Sequence, residues 1–315
     1  MTDIFVNRNP APPRGRIVFI GIAVLVVIGL AVWAFLSMVP KGTPVASPAA
    51  ETVAETTETA AEATAPTPAP AMATALPAAS SDQAGSLLDE ARKLMAADNF
   101  QGAREKAALA MDQAADDATR NAARDLLGEL DIGLVFSERA MPEKIDYTIA
   151  SGDTLAKLAS RNGTTLELVA KGNDIKGPTI RIGDRLRIFT GKFSIKVDKS
   201  DNVLDLYMND KFFKRYRVGT GQYSKTPTGT FKVTDRVAQP TWWRDDGKAI
   251  PFGDPENLLG THWLSLDIRG YGIHGTWEPD TIGKQSSAGC IRLLNEDIEQ
   301  LYTLVPIGTP VTIED

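Results

Sequence analysis

One cysteine and two histidines are all that this 315-residue chain contains of those types. Three such residues cannot build a tetrahedral zinc site of the usual Cys/His kind, so no metal or cofactor is expected. A lone cysteine also excludes an internal disulfide. In a chain lying outside the cytosol it points instead to a free, reactive thiol. Basic residues number 34 against 40 acidic ones, for a net charge of −6. With no basic stripe along the chain, the electrostatic footprint of a nucleic-acid binder is missing.

What the chain does have is strong segmentation. Residues 1–16 are short and polar, with Arg8, Arg14 and Arg16 against Asp3. Ile17 to Val39 then runs 23 residues without a charge. At about 1.5 Å per helical residue this crosses a hydrocarbon core of about 30 Å with some tilt. Three arginines precede the run, whereas only Lys41 is basic just beyond it and the next charges are the acids Glu51, Glu55, Glu58 and Glu62. The expectation is one transmembrane helix over 17–39, a cytoplasmic tail over 1–16 and the rest of the chain outside the cytoplasmic membrane. A cleaved signal peptide is the alternative, but the run is longer than a typical h-region of about 7–15 residues. Residues 40–82 are rich in Ala, Pro, Thr and Glu, a composition that cannot bury a core and reads as a disordered tether.

Residues 83–138 turn helical, with Leu87, Leu88, Ala91, Leu94 and Met95 at helical spacing. Asp98-Asn99 breaks the first helix, Ala103 to Ala114 makes a second, and Thr119 to Leu130 a third. The segment resembles a tetratricopeptide hairpin but is too short for a solenoid. It is expected to be a small helical spacer that could pack on a neighbour. Residues 145–190 read β-α-α-β: a strand at Tyr147-Thr148-Ile149, a turn and helix cap at Ser151-Gly152-Asp153-Thr154, two short helices, and a closing strand through Leu186 and Ile188. With Asn173 and Gly183-Asp184, this order resembles a LysM domain. The resemblance implies binding of N-acetylglucosamine-containing glycan, with peptidoglycan as the partner. It places the glycan groove beside Gly152, Asp153, Thr154 and the loop from Ile175. Gly152 and Asp153 are required by the turn whether or not sugar binds.

From Phe193 the chain reads as strands with one helix near Glu296 to Leu304, which Asn295 is expected to cap. The organising stretch is Ile273-His274-Gly275-Thr276 followed by Ser287-Ala288-Gly289-Cys290-Ile291-Arg292. A thiol needs a base to become a nucleophile, and an imidazole commonly serves. Together with Gly283, Gly219-Thr220-Gly221 and Thr226-Pro227-Thr228-Gly229-Thr230-Phe231, these residues resemble the L,D-transpeptidase (YkuD-like) catalytic domain over about 193–314. That resemblance implies a mainly-β sandwich and a cysteine acyl-enzyme acting on peptidoglycan stem peptides to form 3–3 cross-links. An L,D-carboxypeptidase and a non-catalytic wall-binding anchor are the alternatives. Cys290 is the expected nucleophile and His274 its acid–base partner. By the resemblance, the Gly275 carbonyl orients His274. The Gly289–Cys290 amides are the expected oxyanion donors. Arg292 has two readings, a guanidinium that lowers the thiol pKa or holds a carboxylate, and a structural salt bridge. Ser287 either lines the site or shapes the turn. Thr276, Tyr271, Trp242 and Trp243 are further candidate substrate contacts, the tryptophans on a long stretch between Val237 and Thr261 that the resemblance makes a flap. His262 is expected at the surface or rim. Many members carry His where this chain has Ala288, a departure that bears on substrate tuning.

Overall fold

The computed structural model describes residues 5–6 and 79–315 apart from 178 and 245. The tail other than Phe5–Val6, the apolar run over 17–39 and nearly all of the tether therefore lie outside the described residues. Among the described residues no helix is long and apolar enough to cross a membrane. A two-residue strand β1 (Phe5–Val6) is placed antiparallel to β9 (Trp242–Trp243).

From residue 79 the described chain begins with three helices: α1 (Ala79–Ala96), α2 (Phe100–Gln113) and α3 (Asp117–Val135). The first begins before the expected boundary, because Ala79-Ser80-Ser81-Asp82 forms its first turn. Asn99 caps α2 by accepting from the Gly102 N–H, and Asp116 caps α3 by accepting from the Thr119 N–H. Ala91, Ala103, Ala107, Ala110 and Ala123 fill the helix–helix seam, where small side chains let the backbones approach closely. The segment is more than a spacer. Leu134 and Val135 at the end of α3 enter the main core, and Phe212 of the sheet packs into the helical cluster. Lys144 donates to the Leu134 carbonyl at 2.7 Å and to the Ser137 carbonyl, closing the C-terminal end of α3.

Asp131 of α3 is fully buried, with Arg104 of α2 bonded to it and Glu143 3.8 Å from the same guanidinium. One oxygen of each carboxylate has no partner. Burial lifts the Asp131 pKa to about 7; Arg104 offsets part of this and Glu143 adds to it. The folded chain therefore keeps a proton that the unfolded chain releases, and this group withdraws stability as pH rises from about 4 to about 7. Asp131→Asn removes the titration. Its melting temperature relative to wild type is expected to climb across that window, by at most about 1.4 kcal/mol per pH unit in stability. A constant offset from pH 4 to 8 would refute the assignment.

The next module is β2 (Lys144–Thr148), α4 (Leu155–Asn162), α5 (Leu166–Lys171) and β3 (Arg185–Phe189), with β2 and β3 antiparallel. Leu155, Leu158, Ala159, Val169, Leu186 and Ile188 form its own small core. It docks on the rest through Leu168, which enters the main core, and through Thr165, whose hydroxyl donates to the Thr303 carbonyl.

The remaining strands are β4 (Phe193–Asp198), β5 (Val203–Met208), β6 (Lys211–Arg217), β7 (Thr220–Gly221), β8 (Gly229–Ala238), β9, β10 (Ala249–Ile250), β11 (His262–Leu266), β12 (Gly272–His274), β13 (Gln285–Ser287), β14 (Ile291–Arg292) and β15 (Pro310–Glu314). Eight of them form one sheet in the order β14-β12-β11-β8-β15-β4-β5-β6. The expected sandwich is thus a single curled sheet. Strand β8 makes the corner: Gly229 to Lys232 pair with β15, while Val233 to Ala238 pair with β11. One strand that changes partners along its length joins the two layers without a break. Helix α6 (Asn295–Leu304) buries Ile298, Leu301 and Leu304 against the sheet. Its N-cap is Leu294, with no side-chain cap. Asn295 is turned away to accept a hydrogen bond from the Thr261 N–H at 3.0 Å.

Candidate active site

Parallel pairing of β12 with β14 sets His274 opposite Arg292 and Ile273 opposite Ile291. That register brings the residue just before β14, Cys290, beside the start of β12. Strand β13 pairs with β7, Ser287 opposite Gly221, and closes the other side. Cys290 and His274 are 4% and 2% exposed. Both line a cavity of about 190 Å³ with Trp242, Leu258, Leu259, Ser287, Ala288 and Arg292.

His274 is held on three sides. Its ring stacks on Trp263 at 5.5 Å. Its backbone carbonyl accepts from the Leu293 N–H. Its Nδ1 lies 2.6 Å from the Gly275 carbonyl. A carbonyl can only accept, so Nδ1 carries the proton and Nε2 is left as the base. Gly275 orients the imidazole as expected, and no carboxylate takes that role. Side chains are excluded here: a Cβ on Gly275 would fall 2.2 Å from Asn295 Oδ1. Burial and Arg292 hold the His274 pKa down to about 4, against the Gly275 and Leu259 carbonyls, which favour the protonated ring. Burial pushes the Cys290 thiol up to about 11, although the Gly272 amide and Arg292 both favour thiolate. The resting pair is therefore neutral thiol and neutral imidazole. The thiol donates to the Gly270 carbonyl at 3.6 Å, and among the described residues it forms no hydrogen bond to His274. Such contacts often tighten only when substrate binds.

The turn before the nucleophile corrects one expectation. Ser287 Oγ donates to the Cys290 carbonyl at 2.6 Å and accepts from the Gly289 N–H at 3.0 Å. The Gly289 amide is thereby occupied, which leaves the Cys290 N–H as the backbone donor of the pair. Ser287 both shapes the turn and lines the cavity. Gly289 has φ +138°, and a Cβ there would meet the Tyr271 ring at 2.7 Å. Tyr271 thus packs behind the nucleophile turn and does not line the cavity. Thr276 is buried, with its hydroxyl accepting from the Glu278 N–H; it too lies off the cavity wall.

Arg292 combines both of its readings. Nη1 contacts Glu278 at 3.1 Å, while Nε is buried without a partner. Arg292 also lines the cavity. On the flap, Trp242 lines the cavity and packs with Leu259, Trp263 and Cys290, whereas Trp243 is absent from the lining. Neighbours on a strand point to opposite sides. Asn257 fixes the flap, donating to the Pro240 and Ile250 carbonyls and accepting from the Leu259 N–H. Leu258, Leu259 and Asn257 carry no local signal in the sequence. Thr226 lies inside a motif that does: its hydroxyl accepts from the Gly221 N–H at 2.7 Å and donates to the Gly289 carbonyl at 2.8 Å, bracing the nucleophile turn. His262 is half-buried, packs on Tyr302 with the rings tilted and their centroids 4.5 Å apart, and stands apart from the cavity.

The glycan candidates gather at one turn of the small module. Asp153 accepts from Tyr147 Oη (2.7 Å), the Ala150 N–H (2.9 Å) and Arg161 (3.2 Å), so its carboxylate is spent on the turn. Tyr147 and the Ala150 N–H hold its pKa below the usual range, assisted by Arg161. Thr154 caps α4 through the Lys157 N–H. Gly152 is exposed with φ +82°, and Ile175 is partly buried against the module's core.

A curled sheet that presents one thiol and one carbonyl-oriented imidazole in a single cavity defines a cysteine acyl-transfer enzyme by its chemistry. Residues 192–313 match the L,D-transpeptidase catalytic domain, and residues 147–189 match the LysM domain. The YkuD protein of Bacillus licheniformis is 33% identical over 175 residues, 53% of this chain and 97% of that one. YkuD of Bacillus subtilis is 32% identical, over 54% of this chain and 98% of its own. A solved catalytic domain from the E. faecium L,D-transpeptidase is 26% identical over 39% of this chain and 97% of that one, with a TM-score of 0.33. The chain belongs to the L,D-transpeptidase (YkuD) family.

Proposed function

We propose that the chain is a membrane-anchored, peptidoglycan-binding L,D-transpeptidase that forms 3–3 cross-links through a thioester on Cys290. The observation that carries this is the placement of Cys290 and His274 in one buried cavity, with His274 Nδ1 on the Gly275 carbonyl. A tetrapeptide stem entering the cavity displaces water and turns the thiol from Gly270 towards His274 Nε2. The proton moves from Sγ to Nε2, and the thiolate attacks the carbonyl carbon of the third stem residue. The C–S bond forms while the oxyanion faces the Cys290 N–H. The Leu259 and Gly275 carbonyls stabilise the imidazolium. On collapse the C–N bond breaks, His274 gives its proton to the departing D-Ala amine, and the thioester remains. An amine from a neighbouring stem then attacks, loses its proton to His274 and takes the acyl group, which regenerates the thiol. Arg292, on the cavity wall, supplies a guanidinium that suits a substrate carboxylate.

The small module supplies glycan affinity from the Gly152–Thr154 turn and Ile175. The 17–39 run holds the protein in the cytoplasmic membrane, with the folded part outside. That topology separates Phe5–Val6 from Trp242–Trp243. A two-residue ladder offers only a few hydrogen bonds, each worth about 1 kcal/mol, so it yields to insertion of the apolar run. Purified disaccharide-tetrapeptides incubated with the full chain test the reaction. A 3–3 linked dimer is the expected product, a trimmed tripeptide would mean a carboxypeptidase, and no reaction would leave a wall-binding anchor. Equal access of an impermeant thiol label to cysteines placed before Arg8 and within 40–78 would refute the anchor.

A further inference from the structure

At about 190 Å³ the cavity is smaller than the roughly 300 Å³ at which clefts begin to enclose a whole small ligand. It holds the reacting part of a substrate, and the remainder must cross the rim. On the nucleophile side that rim is the exposed Ala288, and next to it stands the turn Gln222-Tyr223-Ser224-Lys225. Both ends of this turn rest on the nucleophile turn. A Cβ on Gly221 would lie 2.9 Å from Gly289 Cα, and one on Gly289 would lie 3.3 Å from the Lys225 carbonyl. Thr226 ties the base together, and Lys199 Nζ, itself buried, donates to the Thr226 carbonyl at 3.1 Å.

The turn is strained. Tyr223 has φ 53° and ψ 40°, and Ser224 follows with φ 54°. The left-handed region costs an ordinary L residue about 1–2 kcal/mol, and a bulky side chain there is a genuine outlier. Strain of this kind persists only where the surroundings enforce it. What it achieves is display. Tyr223 is 89% exposed, more than any other large apolar side chain among the described residues. All four side chains of the turn are exposed, and none makes a hydrogen bond or ion pair among the described residues. Tyr223 contributes nothing to the core, so its place is explained by what it meets.

We propose that Tyr223 is a stacking platform for a pyranose ring of the glycan that carries the stem in the cavity. This rests on the reading of the site as a peptidoglycan transpeptidase. A pyranose pairs an apolar C–H face with a hydroxyl rim, and tyrosine pairs an apolar ring with a polar tip. Gln222 and Ser224 flank the ring with hydrogen-bonding groups. Lys225 adds a cation, and no carboxylate stands in the turn to repel an acidic stem. The contact gives the catalytic domain its own hold on sugar, separate from the Gly152–Thr154 turn.

The test compares full-length wild type with Tyr223→Ala, Tyr223→Phe and Tyr223→Gly on disaccharide-tetrapeptide and on the sugar-free tetrapeptide. A stacking contact predicts a three- to tenfold rise in KM for the sugar-bearing substrate in the Ala and Gly variants, with kcat held. Tyr223→Phe keeps the ring and should stay near wild type. The sugar-free substrate should not respond. Tyr223→Gly should melt no lower than wild type, since glycine accepts the backbone. Equal losses on both substrates, or none, overturn the proposal. If wild type turns over neither substrate, the transpeptidase reading fails by itself. Equilibrium titration with the disaccharide-tetrapeptide then still decides the contact: a Kd unchanged in Tyr223→Ala overturns it.

Discussion

Cys290→Ala should yield a folded protein that never forms an acyl-enzyme. Intact-mass spectrometry with a carbapenem or a tetrapeptide donor should show an adduct on wild type and none on the variant. The thiol packs with Leu259 and Trp263 in a small apolar cluster and is 4% exposed, so its removal is also felt in stability, by about 1 kcal/mol. Cys290→Ser is the companion variant, because it nearly keeps the volume and exchanges the thiol for a far weaker nucleophile, at the cost of burying a hydroxyl among apolar groups. Turnover should be lost in both variants while each retains a cooperative melting transition. Burial that lifts the thiol to about 11 adds a further expectation. Neutral alkylating reagents should modify Cys290 at pH 7.5 far more slowly than a free thiol of pKa about 8.5. The donor substrate, which reaches the cavity by binding, escapes that penalty. A well-folded Cys290→Ala protein that still cross-links or trims muropeptides at the wild-type rate would refute the mechanism.

The residues that could be read from the chain are those whose signal is local. Phe193, Ile195 and Val197 alternate, and β4 alternates in burial with them. Leu155, Leu158 and Ala159 recur at helical spacing, and α4 buries those three. The glycine-flanked His274 and Cys290 segments meet across β12 and β14, each only two or three residues long. Such strands are too short for any periodicity to announce, as are β7, β9, β10 and β13. What stayed hidden is tertiary. Asn295 stands where a cap belongs and is recruited instead by the Thr261 amide. The Gly289 amide, free on paper, is taken by Ser287. Helix α3 carries two apolar surfaces, one for its partner helices and one, through Leu134 and Val135, for the sheet. A single-face pattern search finds only the first. Leu258 and Leu259 reach the cavity only because Asn257 folds the flap back on Pro240 and Ile250.

His274→Ala should lower turnover by about 10²–10⁴-fold, the usual worth of positioned acid–base help. Because the ring also stacks on Trp263, His274→Gln is the companion variant. It fills more of the space and cannot shuttle the proton. The pH dependence distinguishes a base from a packing residue. Burial and then Arg292 hold His274 near 4, so the free enzyme keeps its base unprotonated well below the ordinary 6.5. The kcat/KM profile, which reports free-enzyme groups, should stay level down to about pH 5. On the alkaline side it should hold past pH 9, since the thiol is raised to about 11. Stability carries the matching signature. The folded chain excludes a proton that the unfolded chain binds, so stability is lost as pH falls from about 6.5 towards 4, at up to about 1.4 kcal/mol per unit. His274→Gln removes that loss, and its melting temperature relative to wild type should rise on acidification through the same window. A His274→Gln enzyme that retains wild-type turnover would remove His274 from the chemistry, whereas an acid limb of kcat/KM at the ordinary imidazole value of about 6.5 would show that burial does not hold the base down.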